Sequence, residues 1–318
     1  MAERDELAIP VAETVVAMYL VPAMFPHERL AALLRSAVAR RVPEPVRSLV
    51  LQLLRADVVS VGVQPADALR TLTGLTRGYG VTNEQAAPVI EAEFFAGIGV
   101  ELRPQPGPVH EWVSRAAAAS LAADQGVPVV DACIRTVVDP RDLLDSLPGS
   151  AELADSPGSF RLSQWLDALG PDDGQVRTRG LVRFGLPELV ISEVPEEHAE
   201  QWELGLYGLA HRLYRVLRDE LRQERQPAFL AVPAELELRP VEIGAAVGMA
   251  LADTDGLPVR LSLDVTVGEL YESRIAVDAP PSWPGTVAQH RAALLAVLRE
   301  AAVASLAKAG GQPGADLD

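Results

Sequence analysis

Segments with the two-residue period of strands and segments with the 3.6-residue period of helices follow one another along this chain. They do not form a strict alternation, and that order constrains the fold more than any single motif does. Residues 14–21 are rich in β-branched side chains and read as a strand. Pro26 and His27 open a helix to about Arg41, with Leu30, Leu33, Leu34 and Val38 at helical spacing, and Pro43 and Pro45 stop it. The apolar run 48–54 is ambiguous by periodicity, whereas 58–63 reads as a strand. Pro65-Ala66-Asp67 starts a further helix that ends near Gly78. The order strand, connector, helix, strand then recurs. Residues 88–96 read as a strand, the Gly- and Pro-bearing 97–108 as a connector, the Ala-rich 110–125 as a helix closed by Gly126, and 129–138 as a strand. Asp139 and Pro140 supply a cap and a helix-first proline for one short helix more.

Beyond a polar loop at 149–158, hairpin signals enter. Runs at 162–169 and 175–184 flank Gly170-Pro171-Asp172-Asp173-Gly174, whose Asp-Gly pair is a turn signal. Residues 188–193 read as another strand. Pro195 opens the most regular helix, with Trp202, Leu206, Leu209, Leu213, Val216 and Leu221 on one stripe. Val259, Leu261, Leu263 and Val265 alternate with Arg260, Ser262, Asp264 and Thr266, as in a half-exposed antiparallel strand to which 274–278 can pair. Thr286 and Gln289 have capping-box spacing for a last helix to about Ala309. Hairpins set among helices imply an α+β fold with mixed, largely antiparallel sheets packed by helices. Two or three subdomains are expected, at 1–86, 87–226 and 227–309, with a disordered tail at 310–318.

Composition narrows the function classes. Of 318 residues, 48% are hydrophobic and 23% charged, and the net charge is -16, so direct binding to nucleic acid or to an anionic membrane is not expected. The basic residues are nearly all arginine, with Lys308 the one lysine and Asn83 the one asparagine, the profile of a GC-rich bacterial coding sequence. The single Cys133 excludes an intramolecular disulfide, and its apolar neighbours at 129–134 make it a buried thiol. The acidic start Met1-Ala2-Glu3-Arg4-Asp5-Glu6-Leu7 lacks the pattern of a signal peptide, and the longest uncharged apolar runs fall short of the roughly 20 residues that span a bilayer. A cytoplasmic location follows as the expectation.

The usual catalytic constellations are missing from the sequence. His27, His110, His198, His211 and His290 show no i, i+4 pair, and no nucleophile elbow or phosphate-binding loop occurs. Gly97-Ile98-Gly99 follows a strand but lacks the third glycine of a dinucleotide fingerprint. Asp139, Asp142 and Asp145 read as capping and dipole-compensating residues, and Arg212, Arg215, Arg218 and Arg222 as a solvated helix face. No cofactor or metal is expected.

One segment remains, Arg177 to Leu189. Strand alternation puts Arg177, Arg179 and Arg183 on one face and Val176, Thr178, Val182 and Phe184 on the other. Gly180, Gly185 and Pro187 demand a particular backbone path. An arginine row offers bidentate donors to carboxylate or phosphate, with Thr178 and Glu188 beside it to complete a ligand site. The plainer reading, which takes precedence, is a surface ladder of Arg–Glu pairs, each contributing about 0–1 kcal/mol. Thr178-Arg179-Gly180-Leu181 followed by Phe184-Gly185-Leu186-Pro187-Glu188-Leu189 resembles a motif of uncharacterised bacterial domains of unknown function. In them a similar stretch follows a Trp-bearing strand (Trp165 here) and precedes a helix. The resemblance covers residues 88–220. It implies an α+β fold, brings no activity, cofactor or catalytic residue, and implies a structural motif whose Phe184 and Leu189 fill the core.

Two functions are thus expected in order of preference: a non-enzymatic cytoplasmic accessory or protein-interaction protein, or an enzyme or sensor for an anionic small molecule at Arg177, Thr178, Arg179, Arg183 and Glu188. A nucleic-acid mimic ranks last, because Asp and Glu are spread along the chain.

Overall fold

The structure is a computed structural model that describes residues 5–23, 29–67, 75–78, 81–149, 162–223, 225–266 and 272–310. The fold is α+β, in mixed and antiparallel sheets packed by helices. It forms two compact units, Glu13–Ser159 and Met1–Ala12 with Phe160–Asp318. The expected breaks near 86 and 226 fall inside these units, because strand pairing joins residues far apart in sequence. The first strand, β1 (Glu6–Pro10), pairs antiparallel with β11 (Phe229–Pro233), which ties the start of the chain to the unit that begins at residue 160. Among the described residues no helix is long and apolar enough to cross a membrane.

The unit Glu13–Ser159 runs β2 (Val15–Pro22), α1 (Leu30–Arg41), α2 (Val46–Arg55), β3 (Val59–Pro65), β4 (Thr76–Arg77), α3 (Asn83–Glu91), β5 (Phe94–Leu102), α4 (Val109–Gln125), β6 (Val129–Asp131), β7 (Thr136–Val138) and α5 (Pro140–Asp145). The sheet order is β3-β5-β2-β6-β7-β4. β5 lies antiparallel between β3 and β2, and β2 lies antiparallel between β5 and β6. β2 and β3 are therefore parallel with a strand between them, and so are β5 and β6. These are two interlocked split βαβ units. Ala17, Tyr19, Ala96, Ile98 and Val100 form one sheet face against α1, α2 and α4. Leu20, Phe95, Val130 and Val137 form the other, with Ala86 and Val89 of α3 upon them.

Several local expectations change here. Pro26 and His27 lie outside the described residues. The ambiguous run 48–54 is helical, with Val46, Val50 and Leu54 buried at i, i+4 spacing. Of the helix expected from Pro65 to near Gly78, residues 68–74 lie outside the described residues, and Thr76–Arg77 form β4, which runs parallel to β7. Pro88 lies inside α3, a helix begun by the Thr82/Gln85 capping box; β5 starts only at Phe94 and continues through the expected connector to Leu102. The run 129–138 is two strands joined by a turn. Asp131 Oδ1 accepts from Cys133 N at 3.0 Å and Ile134 N at 3.3 Å, and Arg135 takes φ +57. Cys133 is accordingly half-exposed in that turn rather than buried.

The other unit continues with β8 (Asp167–Asp172), β9 (Gln175–Arg179), β10 (Glu188–Ile191), α6 (Ala199–Arg222), β11, β12 (Glu235–Leu238), α7 (Pro240–Val247), β13 (Leu257–Thr266), β14 (Glu272–Asp278) and α8 (Val287–Gly310). Its main sheet has the order β12-β13-β14-β10-β9-β8, antiparallel except where β10 meets β14. The alternation of β13 and its pairing with β14 match the sequence, as does the Thr286/Gln289 box that starts α8.

Candidate functional site

The segment Arg177–Leu189 resolves into a strand, a turn and a second strand. β9 buries Val176 and Thr178 and directs Arg177 and Arg179 to the opposite face. Gly180 then adopts φ +113, Leu181–Phe184 coil into a 3-10 turn, and Gly185 at φ +82 closes it. Alternation stops at Gly180, so Arg183 is not the third member of a row. It is fully buried, with its guanidinium 6.0 Å from the Trp165 ring centroid, while Phe184 packs on Tyr214 at 4.8 Å.

Glu188 is the centre of this knot. Its Oε2 accepts from Thr178 Oγ1 at 2.7 Å, and its Oε1 accepts from Gly180 N at 2.7 Å and Val182 N at 3.4 Å. Thr178 Oγ1 in turn accepts from Leu189 N at 2.8 Å. The carboxylate thus satisfies turn N–H groups that would otherwise lack acceptors. Arg177 lies 3.9 Å from Asp172, and both are well exposed, an arrangement that contributes little. The structure therefore joins Thr178 to Glu188, keeps Arg177 and Arg179 on one face, and sends Arg183 into the core.

A second cluster, not singled out in the sequence, surrounds His290 and Arg291 on α8. His290 Nδ1 lies 3.1 Å from Arg291 Nη1, which can only donate, so Nε2–H donates to Pro258 O at 2.8 Å. Burial, and after it the Arg291 cation, hold the imidazole below the ordinary histidine value, against the pull of Pro258 O and Asp278. Arg291 donates from Nε to Ser192 O at 3.1 Å and lies 5.5 Å from the Trp202 ring, whose Nε1–H donates to Arg291 O at 2.9 Å. These bonds tie α8 to α6 and to the end of β10, a structural role. Among the described residues no group of three or more His, Cys, Asp or Glu is placed to hold a metal. A cleft of about 540 Å³ between α3, α4 and α5 has Gln85, Asp139 and Arg141 in its wall. Asp139 already caps Arg141 N at 2.8 Å and takes Gln85 Nε2 at 3.5 Å.

The remaining feature is an edge. Among the described residues, β3 has β5 on one side and no strand on the other. Ala66 N donates to Glu93 O at 2.9 Å. With the register Val59↔Val100 to Pro65↔Phe94, the alternate residues Ser60, Gly62 and Gln64 exchange hydrogen bonds with β5. The N–H and C=O groups of Val61 and Val63 consequently point off the edge, and among the described residues nothing pairs with them. Their side chains are half-buried against the helical face. Ser60, Gly62 and Gln64 lie on the opposite face, where Gly62 stands directly across from Gly97 and Ser60 from Gly99. Val59–Pro65 contains no charged residue. The sequence shows that a strand lies here, but not that it is an edge, which depends on the order of strands. No family model, curated protein or solved structure matches this chain.

Proposed function

We propose that this chain is a non-enzymatic cytoplasmic accessory protein that takes up an extended segment of a partner protein along β3. The observation that carries this reading is the row of outward N–H and C=O groups at Val61 and Val63, on a seven-residue edge strand with no charge. Sheet edges are ordinarily protected by charge, a bulge or a proline within the strand, and β3 has only Pro65 at its end. An added strand would pair with those groups and cover the half-buried Val61 and Val63, so backbone bonds supply affinity and alternate side chains supply selectivity. The net charge of -16 favours a neutral or basic segment. The anionic-ligand alternative is weaker, since only Arg177 and Arg179 share a face and Glu188 is committed to its turn.

Panning the full chain against a phage-displayed library of ten-residue peptides tests the reading. Val61→Pro removes one outward N–H and leaves the bonds of Ser60, Gly62 and Gln64 to β5 intact, a position where an edge strand tolerates proline. Peptides enriched on the wild type should lose binding to Val61→Pro and to Val63→Pro, with far-UV circular dichroism unchanged. Peptides that bind both variants as well as the wild type, or a library that yields none, would overturn it.

A further inference from the structure

Resting on that reading, we infer that the partner segment carries an aromatic side chain which lies across a side-chain-free strip formed by Gly62 and Gly97. The two glycines are direct cross-strand neighbours on β3 and β5, on the sheet face away from α1 and α2. Glycine weakens a strand interior, so its presence there calls for a reason. Neither residue takes a positive φ. Among the described residues, a Cβ built on Gly62 meets nothing within 4 Å, and the atoms nearest to one on Gly97 are Gly62 O at 3.8 Å, Leu20 Cδ2 at 3.8 Å and Met18 Sδ at 3.9 Å, all ordinary contacts. Gly99 supplies the contrast: a Cβ there would stand 3.1 Å from Ser60 Oγ and 3.2 Å from Ala17 O. A side chain at 99 is crowded, whereas among the described residues there is room for one at 62 and 97.

That room adjoins the open edge. A strand docked on β3 places alternate side chains on the Gly62 face, and the residue opposite Gly62 leans inward over it. A short aliphatic side chain ends above Gly62. An aromatic ring reaches on toward Gly97, where Leu20 and the Met18 thioether border the strip. Thioether–ring contact is favourable, an aromatic packed across a glycine restores the packing that the glycine forfeits, and a ring gives up little rotamer freedom.

The test uses four ten-residue peptides from the best panned sequence, identical except for Phe, Trp, Leu or Ala at the central position. Titrated into the full chain, the Phe and Trp peptides should bind about tenfold tighter than the Ala peptide, in line with the usual energy of aromatic packing. Gly97→Val fills the strip with a good strand former, so it should erase that preference while the Ala peptide binds as before. Gly97→Ala serves the same purpose if the valine variant folds poorly. Equal affinity of all four peptides, with binding still lost in Val61→Pro, would overturn the aromatic inference and leave strand addition standing. Binding that survives Val61→Pro would remove both. A dimer of the chain that Val61→Pro dissociates would assign the edge to a second copy and overturn the aromatic partner.

Discussion

Glu188 illustrates how a residue that reads as functional is absorbed by local structure. A carboxylate beside three arginines resembles a ligand site, yet its oxygens face Thr178 Oγ1, Gly180 N and Val182 N. Thr178→Val would leave both Leu189 N and Glu188 short of a partner, and a loss of about 1–3 kcal/mol is expected in urea unfolding with the m-value unchanged. His290 makes a prediction about pH. Its folded pKa is lowered, chiefly by burial, so below the ordinary value of 6.5 the unfolded chain takes up a proton that the folded chain refuses. The corresponding stability is complete above pH 6.5 and declines as pH falls toward the folded pKa. His211 acts in the same direction, through burial first and then Arg215 and Arg218. The urea midpoint should therefore drop between pH 7.5 and 5.5, about where free histidine titrates. His290→Gln should flatten the drop without abolishing it, and an unaltered slope would contradict the assignment.

For the elements, local patterns were legible wherever one neighbour decided the conformation. Capping at Asp139, the αL glycine at Gly126, the alternation of β13 and the Thr286/Gln289 box all stand as read. Readings failed where a pattern was continued past a break. The alternation assumed through Arg183 ends at Gly180, and the single strand assumed over 129–138 folds back at residues 132–135. Residues 88–91 continue a helix instead of opening a strand, because the Thr82/Gln85 box and the burial of Ala86 and Val89 outweigh the cost of an interior proline. Two glycine substitutions should separate room from contact. Gly97→Ala meets only ordinary contacts and should stabilise β5 by about 0.5–1 kcal/mol. Gly208→Ala in α6 would put a Cβ 2.6 Å from Ile243 Cγ1 of α7 and 3.2 Å from its Cα. Overpacking of this kind costs about 1–3 kcal/mol, and thermal melts of the two variants should shift in opposite directions.

At the scale of the whole molecule, the two units are interleaved in sequence: the first twelve residues belong with the last half of the chain. Besides the β1–β11 ladder, Ala234 N donates to Asp5 O at 2.8 Å and Arg260 Nη2 lies 3.3 Å from Asp5 Oδ2. A fragment of residues 13–159 contains a complete split βαβ sheet and should melt cooperatively by itself. A fragment that begins at residue 160 lacks the strand opposite β11 and should gain protease resistance when a synthetic peptide of residues 1–12 is added. Equal resistance with and without the peptide would contradict this pairing.

The sequence by itself determined the α+β class, some helix ends, among them both ends of α4 and the start of α8, and the presence of strands near 15–22, 59–65 and 257–266. These rest on residues within a turn or two of one another, where periodicity and capping act. Only the tertiary structure decided that Arg183 is core, that Glu188 closes a turn, that β3 is an edge among the described strands and that Gly62 and Gly97 are cross-strand neighbours on one sheet face. Each depends on which strands lie side by side. That order is set by burying the apolar faces of segments tens of residues apart, a balance that no local window contains.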